Sequence, residues 1–274
     1  MNEAAHEVAS WRMRHGDIDR HDADVLIAHV LGVSRAQLLA HPDMPISAAH
    51  GARLDDLAAR WHAGEPMGYL TGHQAFRSLT LAVDPCVLVP RPDTEVLVDL
   101  ALRRLPEKAR ILELATGSGA IAIALKLERP DLIVTATDIS DDALAVARRN
   151  ARAHDADIVL IKSDWFEELT THFDAIVVNP PYVRAGDPHL RNLGHEPLRA
   201  LVGGSTGLEA IKHIVANAAS CLREAGLLLL EHGYDQGADV RALLCAAGFT
   251  GVETHHDLGE RERASIGRYN PHHG

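Results

Sequence analysis

The sequence predicts an α/β protein: a mostly parallel sheet with helices on both faces, preceded by a small helical bundle and a β-hairpin linker. Three observations lead there. From Ala109 onward, apolar runs of strand length alternate with segments of helical spacing, the signature of βαβ units. The first 70 residues carry only helical spacing. Between them lies a stretch of β character broken by glycine and proline.

Taken in order, DADVLIAHVLGVS places Leu26, Ile27, Val30 and Leu31 at helical spacing, with Gly32 as its cap. SAAHGARLDDLAARWHAGEP puts Leu54, Leu57, Ala58 and Trp61 on one face and stops at Gly64 and Pro66. In the linker, FRSLTLAV and CVLV read as a strand pair. RILELA, LIVTAT, DIVLI, FDAIVV, LLLLEHG and FTGVETHHD read as strands. GAIAIALKLERP, DDALAVARRNARAH, GLEAIKHIVANAASCLREAG (ended by Gly226) and DQGADVRALLCAAG read as the intervening helices, and the tail RYNPHHG as frayed. The expected organisation is a helical domain over residues 1–70, a hairpin linker over 71–90 and an α/β domain over 91–274.

Composition narrows the function. The formal net charge of −11 over 274 residues argues against gripping nucleic acid by its phosphates. Cys86, Cys221 and Cys245 are odd in number and far apart, as reduced thiols are. The polar N-terminus has no signal-peptide core, and no apolar run reaches membrane-spanning length. The 18 histidines are scattered, with no metal-ligand spacing, so no metal is expected.

In parallel α/β sheets ligands bind at the carboxyl ends of the strands, so the residues just after each strand are the site candidates. ELATGSGAIA follows a strand and opens a helix; Gly117 and Gly119 allow torsions and close approach that side chains block, as a nucleotide-type loop or a purely structural turn requires. Asp138 ends the next strand about 20 residues on, where a carboxylate accepts ribose hydroxyls or, alternatively, caps the following helix. Asp164, Trp165 and Phe166 end the third strand, placed to hold an adenine or simply to pack. Asn179, Pro180, Pro181 and Tyr182 end the fourth. Asn179 carries both a donor and an acceptor. The prolines have fixed φ and no N–H, and Pro180 keeps Asn179 extended. Such a turn offers carbonyl oxygens, a side-chain amide and a ring to a planar NH₂ group.

With these motifs in this order, the chain resembles the class I (Rossmann-like) S-adenosylmethionine-dependent methyltransferases that act on planar nitrogen. More closely, it resembles the peptide chain release factor glutamine methyltransferases. The matching segments run almost end to end, among them GEPMGYLTGHQAF, VLVPRPDTEVLV, LELATGSGAIAIAL, DPHL, EPLRALVGG and DLGERER. The resemblance implies S-adenosylmethionine as cofactor, met by Ala115, Thr116, Gly117, Ser118, Gly119, Asp138, Asp164, Trp165 and Asn179. It implies Asn179, Pro180, Pro181 and Tyr182 as the glutamine-binding catalytic segment. The substrate would be the glutamine of the Gly-Gly-Gln motif in class I release factors, met partly by the N-terminal domain, in the cytoplasm, with no direct nucleic-acid or membrane partner. The chain departs from the family in having Glu113, Leu114 and Ala115 where Asp-Leu-Gly is usual. A ribosomal-protein glutamine methyltransferase, which shares Asn-Pro-Pro-Tyr, and a nucleic-acid base amino-methyltransferase are the alternative readings within the same chemistry. An NAD-dependent dehydrogenase would leave Asn-Pro-Pro-Tyr without a role.

Overall fold

The structure, a computed structural model, describes residues 6–271. The chain divides into two compact units, Met1–Gly72 and His73–Gly274.

The first unit is helical. Two short strands, β1 (His6–Glu7) and β2 (Pro45–Ile46), pair antiparallel. The helices are α1 (Val8–Arg14), α2 (Arg20–Leu31), α3 (Arg35–Ala40), α4 (Ala48–His62) and α5 (Met67–Thr71). Helix α2 starts where Asp19 accepts the His21 N–H at 2.8 Å and ends at Gly32, whose φ of 66° suits glycine. Ser34 and Gln37 form a capping box on α3, and Ser47 caps α4. The apolar faces of these helices meet in one core containing Trp11, Leu26, Ile27, Leu38, Leu54 and Leu57.

The second unit begins with a hairpin, β3 (His73–Phe76) and β4 (Leu79–Ala82), followed by α6 (Glu95–Arg104), which has no counterpart among the expected elements. Then come β5 (Arg110–Leu114), α7 (Ala120–Glu128), β6 (Ile133–Asp138), α8 (Asp141–Ala153), β7 (Val159–Lys162) and β8 (Phe173–Val178). Finally come α9 (Leu198–Leu201), α10 (Glu209–Asn217), β9 (Leu222–Glu231), α11 (Gly237–Ala246), β10 (Phe249–His256) and β11 (Glu262–Tyr269). The sheet order is β10-β11-β9-β8-β5-β6-β7. β5 to β9 run parallel, and β11 pairs antiparallel with both β9 and β10.

Strand alternation divides the core. Ile111, Val177 and Leu229 face α6 and α7, whereas Leu112, Val178 and Leu230 face α10 and α11. Helices therefore cover both faces, as expected of a parallel sheet.

Four expectations are corrected. CVLV is not a strand: Val87 and Val89 are buried, but the Val89 N–H goes to the Glu196 side chain, not to a partner strand. The helix expected up to Gly226 stops earlier, since Ala218–Ser220 is a 3-10 turn and β9 already begins at Leu222. The final strand FTGVETHHD is followed by β11, whose buried Arg263, Ser265 and Gly267 conceal it from any hydropathy pattern. Arg268 and Tyr269, expected to fray, belong to β11; the end of that tail, residues 272–274, lies outside the described residues.

Candidate active site

Sheet order reverses at β5, with β6 on one side and β8 on the other. The chain leaving these strands bounds a cavity of about 1180 Å³ including the solvent open to it, at the place where open α/β sheets bind ligands.

The first wall is the turn after β5. Ala115 has φ +52° and Gly117 φ +54°. The Thr116 N–H is taken by the Thr137 carbonyl at 2.9 Å. Gly119, at φ +84°, caps α7; a Cβ there would come within 3.0 Å of Ile123 and 3.3 Å of Ala147. Its role is close packing, and it does not line the cavity, whereas Ala115, Thr116, Gly117 and Ser118 do.

Asp138 is 9 % exposed and is held from two sides. The Gly117 N–H donates to one oxygen and the Ser140 N–H to the other, each at 2.9 Å. Capping of α8 falls to Ser140, which accepts the Ala143 N–H. Each Asp138 oxygen keeps a lone pair for the cavity that it lines. Glu113 lies under the turn, accepting from Thr116 Oγ1 at 2.6 Å and from the Ala122 N–H at 3.0 Å. Burial pushes its carboxyl up to about 8, against the pull of those two hydrogen bonds.

Asp164 and Trp165 form the next wall, at the end of β7. Trp165 has φ +49°, an unusual torsion for a bulky residue. The Ser163 hydroxyl donates to its carbonyl at 3.0 Å, and its ring lies 6.1 Å from His213. Phe166 is packed against the core and does not line the cavity.

Asn179 and Pro181 form the wall beyond β8, whereas Pro180 and Tyr182 are not among the lining residues. Asn179 Nδ2 donates to Thr94 Oγ1 at 3.1 Å, which leaves the side-chain oxygen as the end of the amide that Thr94 does not engage. The Tyr182 ring packs against the core, and its hydroxyl donates to Glu231 at 3.1 Å. Behind this turn, Val183 and Val202 form a parallel bridge, and the Gly203 N–H donates to the Val183 carbonyl at 2.9 Å. A Cβ on Gly203 would fall 2.3 Å from the Pro181 oxygen, so only glycine fits.

The motif reading missed the rim. Cys86, Arg91 and Thr94 line the cavity, as do Pro197, Arg199 and Ala200. Glu196, 4 % exposed, holds this rim together: it accepts the Val89 N–H at 3.1 Å and pairs with Arg91. All of these but Cys86 fall in the segments VLVPRPDTE and EPLRAL, which signalled only a resemblance; that they meet across the cavity is visible only in three dimensions.

The cavity thus has a polar, acid-bearing end made by the turns after β5, β6 and β7, and an end at Asn179 and Pro181 where the Asn179 side-chain oxygen is not engaged by Thr94. Its carboxylates suit hydroxyl and ammonium groups, Trp165 suits a flat ring, and the glycine turn admits close approach. These features fit S-adenosylmethionine. Among the described residues no cluster of three His, Cys, Asp or Glu is gathered to hold a metal, and no helix is long and apolar enough to cross a membrane.

Fold and site together define a class I methyltransferase that uses S-adenosylmethionine. Comparison with known proteins narrows the class. Residues 93–200 match the methyltransferase small domain, and residues 6–72 match the PrmC N-terminal domain. The release factor glutamine methyltransferase of Salmonella typhimurium is 46% identical over 97% of this chain and 98% of its own length. That of Escherichia coli is 46% identical over 91% of this chain and 92% of its own. A methyltransferase of Pyrococcus furiosus superposes with a TM-score of 0.57 at 19% identity, over 79% of this chain and 99% of that one. This shows the fold alone. The chain belongs to the release factor glutamine methyltransferase family.

Proposed function

We propose that the chain transfers the methyl group of S-adenosylmethionine to the side-chain amide nitrogen of the glutamine in the Gly-Gly-Gln motif of class I peptide chain release factors. The observation that carries this reading is the Asn179 amide, anchored through Nδ2 on Thr94, beside two prolines that present no N–H. With its Nδ2 engaged by Thr94, the Asn179 side chain keeps its acceptor oxygen for a substrate that brings N–H donors, as a glutamine amide does.

In this reading Ala115, Thr116, Gly117, Ser118, Asp138, Asp164 and Trp165 hold the cofactor, with Gly119 keeping the turn in place. When bound, S-adenosylmethionine supplies a methyl group on a positively charged sulfur, already activated for displacement. The protein's task is then orientation. Asn179 Oδ1 accepts one N–H of the substrate amide and the Pro180 carbonyl accepts the other. These bonds fix the amide plane, aim its nitrogen at the methyl carbon whose bond to sulfur breaks, and stabilise the positive charge that develops on the nitrogen until it gives up one proton to water. Tyr182 braces the segment. The helical unit, residues 1–70, supplies a docking surface for the release factor, and the segment 71–90 joins it to the catalytic unit. The reaction takes place in the cytoplasm, where release factors act. The net charge of −11 speaks against direct nucleic-acid binding.

The test is methyl transfer from labelled cofactor to purified release factor, to the same factor with its Gly-Gly-Gln glutamine changed to alanine, to ribosomal protein and to DNA, with the modified residue mapped by mass spectrometry. A methyl on that glutamine, absent from the alanine variant, is expected; label on ribosomal protein or DNA alone overturns the substrate. Asn179→Ala is expected to lower kcat at least 100-fold, about 2.7 kcal/mol of lost transition-state stabilisation. Its affinity for S-adenosylhomocysteine should change much less. Unchanged turnover in that variant sinks the mechanism.

A further inference from the structure

The Asn-Pro-Pro-Tyr segment is held from two sides. At Tyr182 the hydroxyl donates to Glu231, the buried last residue of β9, at 3.1 Å. At Asn179, Nδ2 donates to Thr94 Oγ1 at 3.1 Å. Thr94 belongs to a single 3-10 turn, Pro92–Thr94, just ahead of α6. Its own N–H goes to the Arg91 carbonyl at 3.1 Å, which closes the turn but does not fix where the turn lies. Its neighbour reaches further: the Asp93 carboxylate forms an ion pair with Arg263 at 3.1 Å.

Arg263, the second residue of β11, is a junction. Its side chain is only 7 % exposed. Its carbonyl accepts the His232 N–H at 2.9 Å, so its backbone is tied to the end of β9. Its Nε donates to Asp257, in the turn between β10 and β11, at 3.2 Å. One terminal nitrogen reaches the His232 carbonyl at 3.4 Å, and the other pairs with Asp93. Three nitrogens thus serve three separate segments, which a planar guanidinium can do and an ammonium cannot. Asp257 is itself fixed, since it accepts the Gly259 N–H at 2.8 Å and the Arg261 N–H at 3.1 Å. That buried carboxylate already balances the buried charge. Asp93 is a second partner, its side chain 49 % exposed, and what its pairing adds is a fixed place for the turn that carries Thr94. Neither Asp93 nor Arg263 lines the cavity, whereas Thr94 and Asn179 do.

We propose that Arg263 is a positioning residue: by holding Asp93 it keeps the Thr94 hydroxyl against Asn179 Nδ2, and so keeps the Asn179 side-chain oxygen turned toward the acceptor. The consequence for turnover rests on the reaction proposed above; the placement of Asn179 does not. A side-chain amide has a donor end and an acceptor end of nearly the same size. Once the Thr94 oxygen moves away, the Asn179 side chain can turn over and offer its NH₂ to the NH₂ of the substrate, donor against donor. Orientation is what the protein contributes to this reaction, and a shift near 1 Å is enough to lose much of it.

The experiment begins with Asp93→Ala in the full chain, because a half-exposed partner can be removed without endangering the fold; its melting temperature should stay within about 3 °C of the wild type. With the acceptor that the wild type methylates, kcat should fall at least fivefold while KM for S-adenosylmethionine stays within twofold. The same substitution made in Asn179→Ala should cost less than twofold, because no amide is left to place. Arg263→Lys, with one nitrogen where arginine has three, should repeat the loss in kcat, and Asp93→Ala covers the case in which that variant does not fold. The Asn179 side-chain amide protons, followed by NMR without acceptor, should shift in the same direction in Asp93→Ala as in Thr94→Val. An unchanged kcat, a loss equally large in the Asn179→Ala background, a rise in KM that accounts for the loss, or unshifted amide signals overturns the inference. A wild type that leaves release factor unmethylated overturns the substrate assignment instead, and the amide signals still decide the role of Arg263.

Discussion

Ala115 shows how much one methyl group can matter. It stands at the end of β5 with φ +52°, in the left-handed region where a side chain costs roughly 1–2 kcal/mol. The residue is legible in the sequence as a departure from Asp-Leu-Gly. Its torsion has a consequence of its own, because this backbone suits glycine. Ala115→Gly should therefore stabilise the protein, by about 0.5–1 kcal/mol after allowing for the extra freedom of an unfolded glycine. Thermal unfolding should rise by roughly 1–3 °C; a fall would mean that the alanine methyl packs usefully. Asp138, Asp164, Trp165 and Asn179 were likewise legible, because each follows a strand and parallel sheets place ligands there. Glu231 was not, although it too ends a strand. In LLLLEHG it reads as the polar stop of an apolar run, and only the meeting of β8 with β9 gives it neighbours.

At the scale of elements, the Asn-Pro-Pro-Tyr turn owes its shape to the segment after α9. Gly203 lies against it so closely that a Cβ would be 2.3 Å from the Pro181 oxygen and 2.7 Å from the Gly207 oxygen. Gly203→Ala should displace the turn, costing about 1–3 kcal/mol of stability and at least tenfold in kcat, since a displacement near 1 Å is enough to spoil orientation. Circular dichroism melts and initial rates test both, and a variant with full activity would show that the turn tolerates movement. The parallel strands were readable because their apolar runs are short and bounded by turn residues. The antiparallel edge was not. In β11 the buried positions include Arg263, Ser265 and Gly267, which satisfy the fold by ion pairing, hydrogen bonding and small size, none of which a hydropathy pattern records. CVLV failed for the opposite reason: its valines are buried, but the Cys86 and Val89 N–H groups go to side chains and that of Val87 to the Asp84 carbonyl, none to a partner strand.

For the whole molecule, two buried acids make stability depend on pH. Glu113 and Glu231 are raised to about 8 and about 7 from an ordinary 4.5. The unfolded chain releases these protons near 4.5, whereas the folded protein keeps them up to those higher values. Folding therefore takes up protons between these limits, and stability falls as pH rises from about 4.5 toward 8. Glu113→Gln, whose amide oxygen can still accept from Thr116 and the Ala122 N–H, removes the Glu113 share. Its unfolding free energy should decline less steeply than that of the wild type between pH 5 and 9, the difference reaching a few kcal/mol. Parallel urea denaturation curves for the two proteins would show Glu113 to be ionised in the fold if the slopes coincide.

The clasp on Glu196 has a consequence for how the protein comes into being. Its contacts join residues 107 and 105 positions apart, so closing that loop from an open chain costs about 4 kcal/mol in entropy alone. Nascent helices and hairpins cannot supply it. Only when β5 and β8 already lie side by side are Val89, Arg91 and Glu196 within reach of one another. The rim is therefore expected to close after the sheet has assembled, and in pulse-labelling hydrogen exchange during refolding the Val89 amide should gain protection later than the amides of β5 and β8.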